Sequence, residues 1–160
     1  MTFLTRLAGL VAGLIVSMPG VAAAQMACPA DPLVEASLVA DHETVVPGET
    51  FRAGLRLVMP EGWHTYWRNA GDSGEATRIE WELPDGVTAG EIEWPAPEVF
   101  PFGPLANYGY AWDVLLPVSF DVSPDVRRGP LPISATAYWL VCEEICIPEC
   151  GEDSVFLEAG

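Results

Sequence analysis

From Leu33 onward, apolar and polar residues alternate in short runs that are cut every few positions by Pro, Gly, Asn or Asp. Phe51–Met59 is the clearest run. Phe51, Ala53, Leu55, Leu57 and Met59 fall on one face of a two-residue period, and Arg52 and Arg56 on the other. That period predicts a half-buried β-strand. Further strands are expected over Leu33–Asp41, Trp63–Arg68, Val87–Trp94, Ile133–Val141 and Val155–Leu157. Thr77–Leu83 is another, with Ile79, Trp81 and Leu83 or their neighbours facing inward. Asn107–Phe120 reads as one aromatic and β-branched strand, and Pro117 within it predicts an edge position or a bulge. Pro47-Gly48, Pro60-Glu61-Gly62 and Pro84-Asp85-Gly86 mark turns, and Asn69–Gly74 is a loop of turn formers. Pro95–Pro104, with Phe100 and Phe102 interleaved, is expected to be an irregular covering loop.

No long helical period follows residue 24. Seven or eight short strands with frequent turns predict an all-β chain, an immunoglobulin-like β-sandwich. A parallel sheet is not expected, because its crossovers need helices.

The start of the chain reads differently. Arg6 precedes an apolar run from Leu7 to about Met18, and Ala22-Ala23-Ala24 follows. This is the order of a secretory signal peptide cleaved after Ala24. Residues 1–24 are therefore expected to be a signal peptide, and residues 25–160 one exported domain. The run is short for a membrane span of about 20 residues.

Charge narrows the partners. Seven basic residues, all arginine, stand against 23 acidic ones, for a formal charge of −16. Phosphate binding needs basic patches, so nucleic acid is excluded as an expected partner. No phosphate loop, Ser-His-Asp set or paired-carboxylate motif is evident, and no cofactor is expected.

The chemistry concentrates near the C-terminal end, in Tyr138-Trp139-Leu140-Val141-Cys142-Glu143-Glu144-Ile145-Cys146-Ile147-Pro148-Glu149-Cys150. A strand drives into a Cys-x-x-x-Cys pair. Across a tight hairpin, opposed residues lie about 4.5–5.5 Å apart. A disulfide needs Cα atoms roughly 4.4–6.8 Å apart. Cys142 and Cys146 can thus join and part with little backbone change, as a dithiol/disulfide exchanger requires. Glu143, Glu144 and Glu149 disfavour a thiolate, and Pro148 prevents a helix N-terminus from promoting one. Such a pair suits a carrier attacked by a better nucleophile on a partner.

Other readings compete. The pair can be an inert staple in a secreted binding sandwich. Cys142, Cys146 and Cys150 also invite a Cu(I) site, since thiolates suit soft copper. Their spacing matches no zinc or common iron–sulfur pattern, and no metal ligand is assigned. Cys28 and Cys150 can bridge, stay free, or leave Cys150 competing with Cys146 for Cys142; the sequence decides none of these.

Four stretches, taken in order, resemble the N-terminal periplasmic domain of the DsbD/ScsB family of thiol:disulfide interchange proteins. They are Gly62–Asn69 with Gly71–Gly74, Trp94–Pro97, Asn107–Tyr110 with Val114–Val118, and Tyr138–Cys142 through Cys146–Glu149. The resemblance implies an immunoglobulin-like domain that carries reducing equivalents in the periplasm, acting as part of a protein-disulfide reductase. It places the reactive pair on Cys142 and Cys146, with Cys146 engaging the partner and Cys142 resolving. It implies periplasmic thioredoxin-like oxidoreductases as partners, including those of cytochrome c maturation, and a membrane electron-transfer domain or protein as the source. The copper-tolerance branch is the nearer one. The membrane domain does not follow in this sequence, so a longer gene product or a separate membrane partner is expected.

Two side-chain expectations complete the reading. His64 assists proton transfer during exchange, binds copper with nearby sulfur, or is an ordinary strand residue satisfied by a neighbour, and His42 lies on the surface. The Asn69–Gly74 and Phe100–Tyr110 loops, with Tyr108 and Tyr110, are expected to shield the cysteines.

Overall fold

The computed structural model describes residues 28–160, so the expected signal peptide lies outside the described residues. Among these the chain is all β. Its strands are β1 (Glu35–Ala40), β2 (Thr44–Val45), β3 (Thr50–Val58), β4 (His64–Gly71), β5 (Arg78–Glu82) and β6 (Val87–Ile92). They are followed by β7 (Glu98–Phe102), β8 (Leu105–Ala111), β9 (Asp113–Val122), β10 (Gly129–Cys142) and β11 (Cys146–Ala159). One sheet has the order β1-β3-β9-β6; the other has the order β2-β11-β10-β4-β8-β7, with β5 also on β10. The expected sandwich of immunoglobulin-like type is what forms.

Alternation explains the core. On β3, Phe51, Ala53, Leu55 and Leu57 are buried, and their partners Phe120, Val118, Leu116 and Val114 on β9 are buried too. From the facing sheet, β10 contributes Leu131, Ile133, Ala135, Ala137, Trp139 and Val141. Phe51 and Phe120 stack at 4.9 Å, and Trp81 meets Phe120 edge-on at 4.9 Å. Five of the six tryptophans pack in or against the core; Trp112 is exposed.

Four expectations need correction. Residues 98–102 are not irregular but form β7, paired with β8. As an edge strand, β7 tolerates Pro101, which has no N–H to donate. Asn107–Phe120 is two strands, because the chain turns at Trp112, whose φ is 66°. Pro117 is not at an edge, since β9 lies between β3 and β6. The register of β6 shifts between Ala89 and Ile92 instead, and the Glu93 N–H donates to the Pro117 carbonyl at 2.8 Å. The last strand runs far beyond Val155–Leu157. Its polar residues conceal it from a hydrophobic reading, yet two of them are structural. The Glu149 carboxylate accepts the N–H groups of Leu33 and Val34 at 2.7 and 3.2 Å and Trp139 Nε1–H at 3.1 Å. Asp153 accepts the Leu38 N–H at 2.7 Å. A short parallel pairing of β2 with β11 also occurs, without a helical crossover.

Phe120 is fully buried between these layers. Phe120→Ala should cost about 3–5 kcal/mol, read from chemical denaturation, whereas Phe156→Ala at an exposed position should change stability little.

Candidate functional site

The hairpin of β10 and β11 stays in register for 14 pairs, ending at Cys142 opposite Cys146. Odd-numbered residues of β10 point into the core, so Cys142 lies on the other face of the sheet. There it is nonetheless buried, at 2 % exposure, while Cys146 is exposed. The two are joined by a disulfide, with Cα atoms 4.1 Å apart. Glu143, Glu144 and Ile145 form the exposed hairpin loop.

Three elements cover Cys142. First, β4 pairs with β10 at a single position, His64 opposite Cys142. Alternation on β4 turns Trp63 and Trp67 to the core and puts His64 and Tyr66 on the disulfide face. The Tyr66 hydroxyl lies 3.7 Å from Cys146 Sγ. Second, β7 brings Phe100 flat onto the His64 ring, with centroids 4.3 Å apart and planes 8° apart. Third, the Gly71–Gly74 loop closes over Tyr66. Gly74 has φ 96°, and a Cβ there would overlap the Tyr66 ring, so glycine is required. This loop is fastened to β8. Asn107 Oδ1 accepts from Ser73 N and Oγ, both at 3.0 Å, and Asp72 accepts the Ala106 N–H at 2.8 Å.

Together His64, Tyr66, Ser73, Phe100, Asn107 and both cysteines line a cavity of about 300 Å³, with Pro101, Phe102, Glu143 and Glu144 at its remaining walls. Burial holds the His64 imidazole below its ordinary value and pushes the Tyr66 phenol up. Gly62, with φ 88°, adopts a backbone conformation that other residues rarely reach, and it lies next to the Glu143 side chain of the hairpin loop. No helix terminus is present among the described residues to favour a thiolate.

The shielding assignment also needs correction. Tyr110 belongs to the inter-sheet core and donates to the Pro95 carbonyl at 2.8 Å, its phenol pushed by burial up to about 12. Neither Tyr108 nor Tyr110 lines the disulfide cavity. Alternation along β8 turns them away and leaves the cover to Phe100 and Phe102 of β7. Sequence reasoning gave Tyr66 and Asn107 no role of their own, although both lie inside quoted motifs. His42 is on the surface, beside Asp41.

The remaining cysteines are bonded to each other. Cys28 and Cys150 form a disulfide with Cα atoms 5.0 Å apart across a separation of 122 residues. Cys150 is buried and lies opposite Tyr138. Four residues of strand place it roughly 13 Å along β11 from Cys146. The three sulfurs of the copper reading are therefore not brought together.

The sequence model of a family described as "Thiol:disulfide interchange protein DsbD, N-terminal" matches residues 35–157. No curated protein matches the chain. Among solved structures, the N-terminal periplasmic domain of ScsB from Proteus mirabilis aligns at 22 % identity with a TM-score of 0.58, over 83 % of this chain and 49 % of that one. The chain thus spans about half the length of that structure, and the likeness shows the shared fold. Spo0M, a sporulation control protein of Bacillus subtilis, aligns at 10 % identity and TM-score 0.38, over 81 % of this chain and 51 % of that one. A type I cohesin of Pseudobacteroides cellulosolvens aligns at 10 % identity and TM-score 0.34, over 78 % of this chain and 93 % of that one.

The two disulfides should differ in what they support. Replacing Cys28 and Cys150 together by serine should cost about 2–5 kcal/mol of stability, read from thermal or chemical unfolding. It should leave the Cys142–Cys146 bond formed, as peptide mass mapping would show.

Proposed function

The chain belongs to the family of the N-terminal domain of the thiol:disulfide interchange protein DsbD, and from that membership we propose that it is a periplasmic protein-disulfide reductase domain working through Cys142 and Cys146. One observation carries the assignment of roles. The two bonded cysteines have opposite exposures, Cys146 exposed and Cys142 buried beneath β4 and β7. An incoming thiolate must approach a disulfide sulfur along the S–S axis and expel the other. Cys146 is the sulfur a partner reaches, and Cys142 is the one that leaves and later resolves.

The cycle balances without a cofactor. In the reduced domain, the Cys146 thiolate attacks a partner disulfide, and the partner's leaving sulfur departs with the electron pair. Cys142 then attacks Cys146, the partner's second sulfur leaves, and two electrons have passed to the partner. Reversal at a membrane electron-transfer domain or protein recharges the pair. The partners are periplasmic thioredoxin-like oxidoreductases, whose acidic cysteines leave readily and so complement a pair that has no promoted thiolate of its own. A location in the periplasm is supported by the expected signal peptide, by the two disulfides and by the periplasmic origin of the ScsB domain.

Phe100 and Phe102 act as the cover. They keep small thiols from Cys142 and the inner side of the bond until a partner displaces β7, an edge strand held on one side only. Phe100→Ala should raise the rate at which dithiothreitol reduces Cys142–Cys146 by about tenfold; an unchanged rate would remove the shielding role.

The direct test uses single-cysteine variants in a periplasmic extract. Cys142→Ala, which keeps Cys146, should accumulate mixed disulfides with thioredoxin-like proteins. Cys146→Ala should accumulate few. Equal trapping by both, or by neither, would overturn the assignment.

A further inference from the structure

His64 is the residue on this face that neither the disulfide nor the cover explains. It sits directly opposite Cys142 across the β4–β10 pairing, and opposed side chains on neighbouring strands have Cβ atoms about 4.5–5.5 Å apart on the same face. Its ring is held on two sides, flat against Phe100 at 4.3 Å and edge-on to Tyr66 at 5.3 Å. Yet its Nε2 is buried and has no hydrogen-bond partner among the described residues. Leaving a buried polar atom unpaired costs about 1–3 kcal/mol. With the cysteines joined, neither sulfur carries a proton to offer. Once they are reduced, Cys142 presents a thiol directly across the strand pairing from His64, in the cavity both residues line.

We propose that His64 is the base for the resolving step: its Nε2 takes the proton from Cys142 Sγ while the partner is held on Cys146. This inference rests on the exchange reading of the pair. The Cys142 thiolate then attacks Cys146 Sγ. The Cys142–Cys146 bond forms, the bond from Cys146 to the partner sulfur breaks, and the partner sulfur leaves with the electron pair. The imidazolium returns its proton to the departing thiolate. No other oxidant, reductant or metal enters.

The surroundings suit this transfer. The ionisable groups that line the same cavity as the imidazole are Cys142 of β10, Tyr66 of β4, Cys146 of β11, and Glu143 and Glu144 of the hairpin loop. From β7 and β8 it meets Phe100, Asn107 and Ala111, which carry no charge. The two carboxylates discourage a free Cys142 thiolate, so an unassisted thiol would be slow at neutral pH. The same carboxylates favour the transient imidazolium. Burial keeps the resting imidazole neutral and able to accept. General base catalysis of this kind typically contributes about 10²–10⁴-fold.

The test mixes the reduced protein, with Cys28–Cys150 intact, with 5,5′-dithiobis(2-nitrobenzoate) in a stopped-flow instrument. Attack by Cys146 releases one thionitrobenzoate, and ring closure by Cys142 releases the second. The first phase is the internal reference for the second. In the unaltered protein the second phase should rise below neutrality and then stay level between about pH 7 and 8, as a neutral imidazole base requires. In both His64→Gln and His64→Phe it should fall about tenfold or more at pH 7. It should then climb about tenfold per pH unit toward the ordinary thiol range near 8.5. His64→Phe keeps an aromatic ring against Phe100, so loss of stacking alone predicts a normal second phase in that variant. A second phase with unchanged rate and pH profile in either variant overturns the role of His64 and leaves the exchange reading standing. Absence of both phases in the unaltered protein overturns both.

Discussion

The structure depends on one long register. β10 and β11 face each other residue for residue from Gly129 opposite Ala159 to Cys142 opposite Cys146. Side chains alternate along a strand, so this register fixes two things at once. Odd positions of β10 build the core beside Phe120 and Leu116. Even positions, ending in Cys142, are committed to the outer face. A shift of one residue would bury a different set of side chains and would part the two sulfurs. The apolar alternation that stabilises the sandwich is thus also what aligns the disulfide. Glu149 and Asp153 extend the same constraint to the other sheet by accepting the N–H groups of the chain at and before β1.

Burial of Cys142 is a separate problem, because the outer face of a sheet is normally solvated. It is solved by covering that face locally. β4 crosses the end of β10 at His64, β8 continues the sheet, and β7 folds Phe100 over the imidazole. The Gly71–Gly74 loop, held by Asn107, closes over Tyr66. The result is asymmetric: one cysteine is exposed and its mate is buried in a cavity lined by His64, Tyr66 and Phe100. An exchanging disulfide benefits from that asymmetry, since it fixes which sulfur is attacked and which one departs.

Most of the sandwich was legible from period and punctuation. Phe51–Met59 and Ile133–Val141 announce themselves because each buries a single face. What escaped has physical reasons. β7 is short, carries Pro101 and lies at an edge, so it lacks alternation. The part of β11 before Val155 hides behind Glu152, Asp153 and Ser154, whose side chains serve hydrogen bonds or solvent rather than the core. The corner at Trp112 requires a positive φ from a residue that rarely adopts one. At the site, Cys142 and Cys146 were identifiable from spacing and resemblance. The positions of His64, Tyr66 and Phe100 were not, because they meet Cys142 only after β4, β7 and β10 align. The pairing of Cys28 with Cys150 was open for the same reason: 122 residues lie between them.

The central claim is that the disulfide at the hairpin tip is the exchangeable one and that the disulfide holding Cys28 is not. Equilibrating the protein across glutathione and dithiothreitol buffers, quenching by alkylation and mapping each cysteine by mass spectrometry tests it most directly. The account predicts that Cys142 and Cys146 titrate together and reversibly above roughly −300 mV, while Cys28 and Cys150 stay oxidised throughout that range. Titration of both bonds together, or a Cys142–Cys146 bond that resists reduction as firmly as its neighbour, would contradict it.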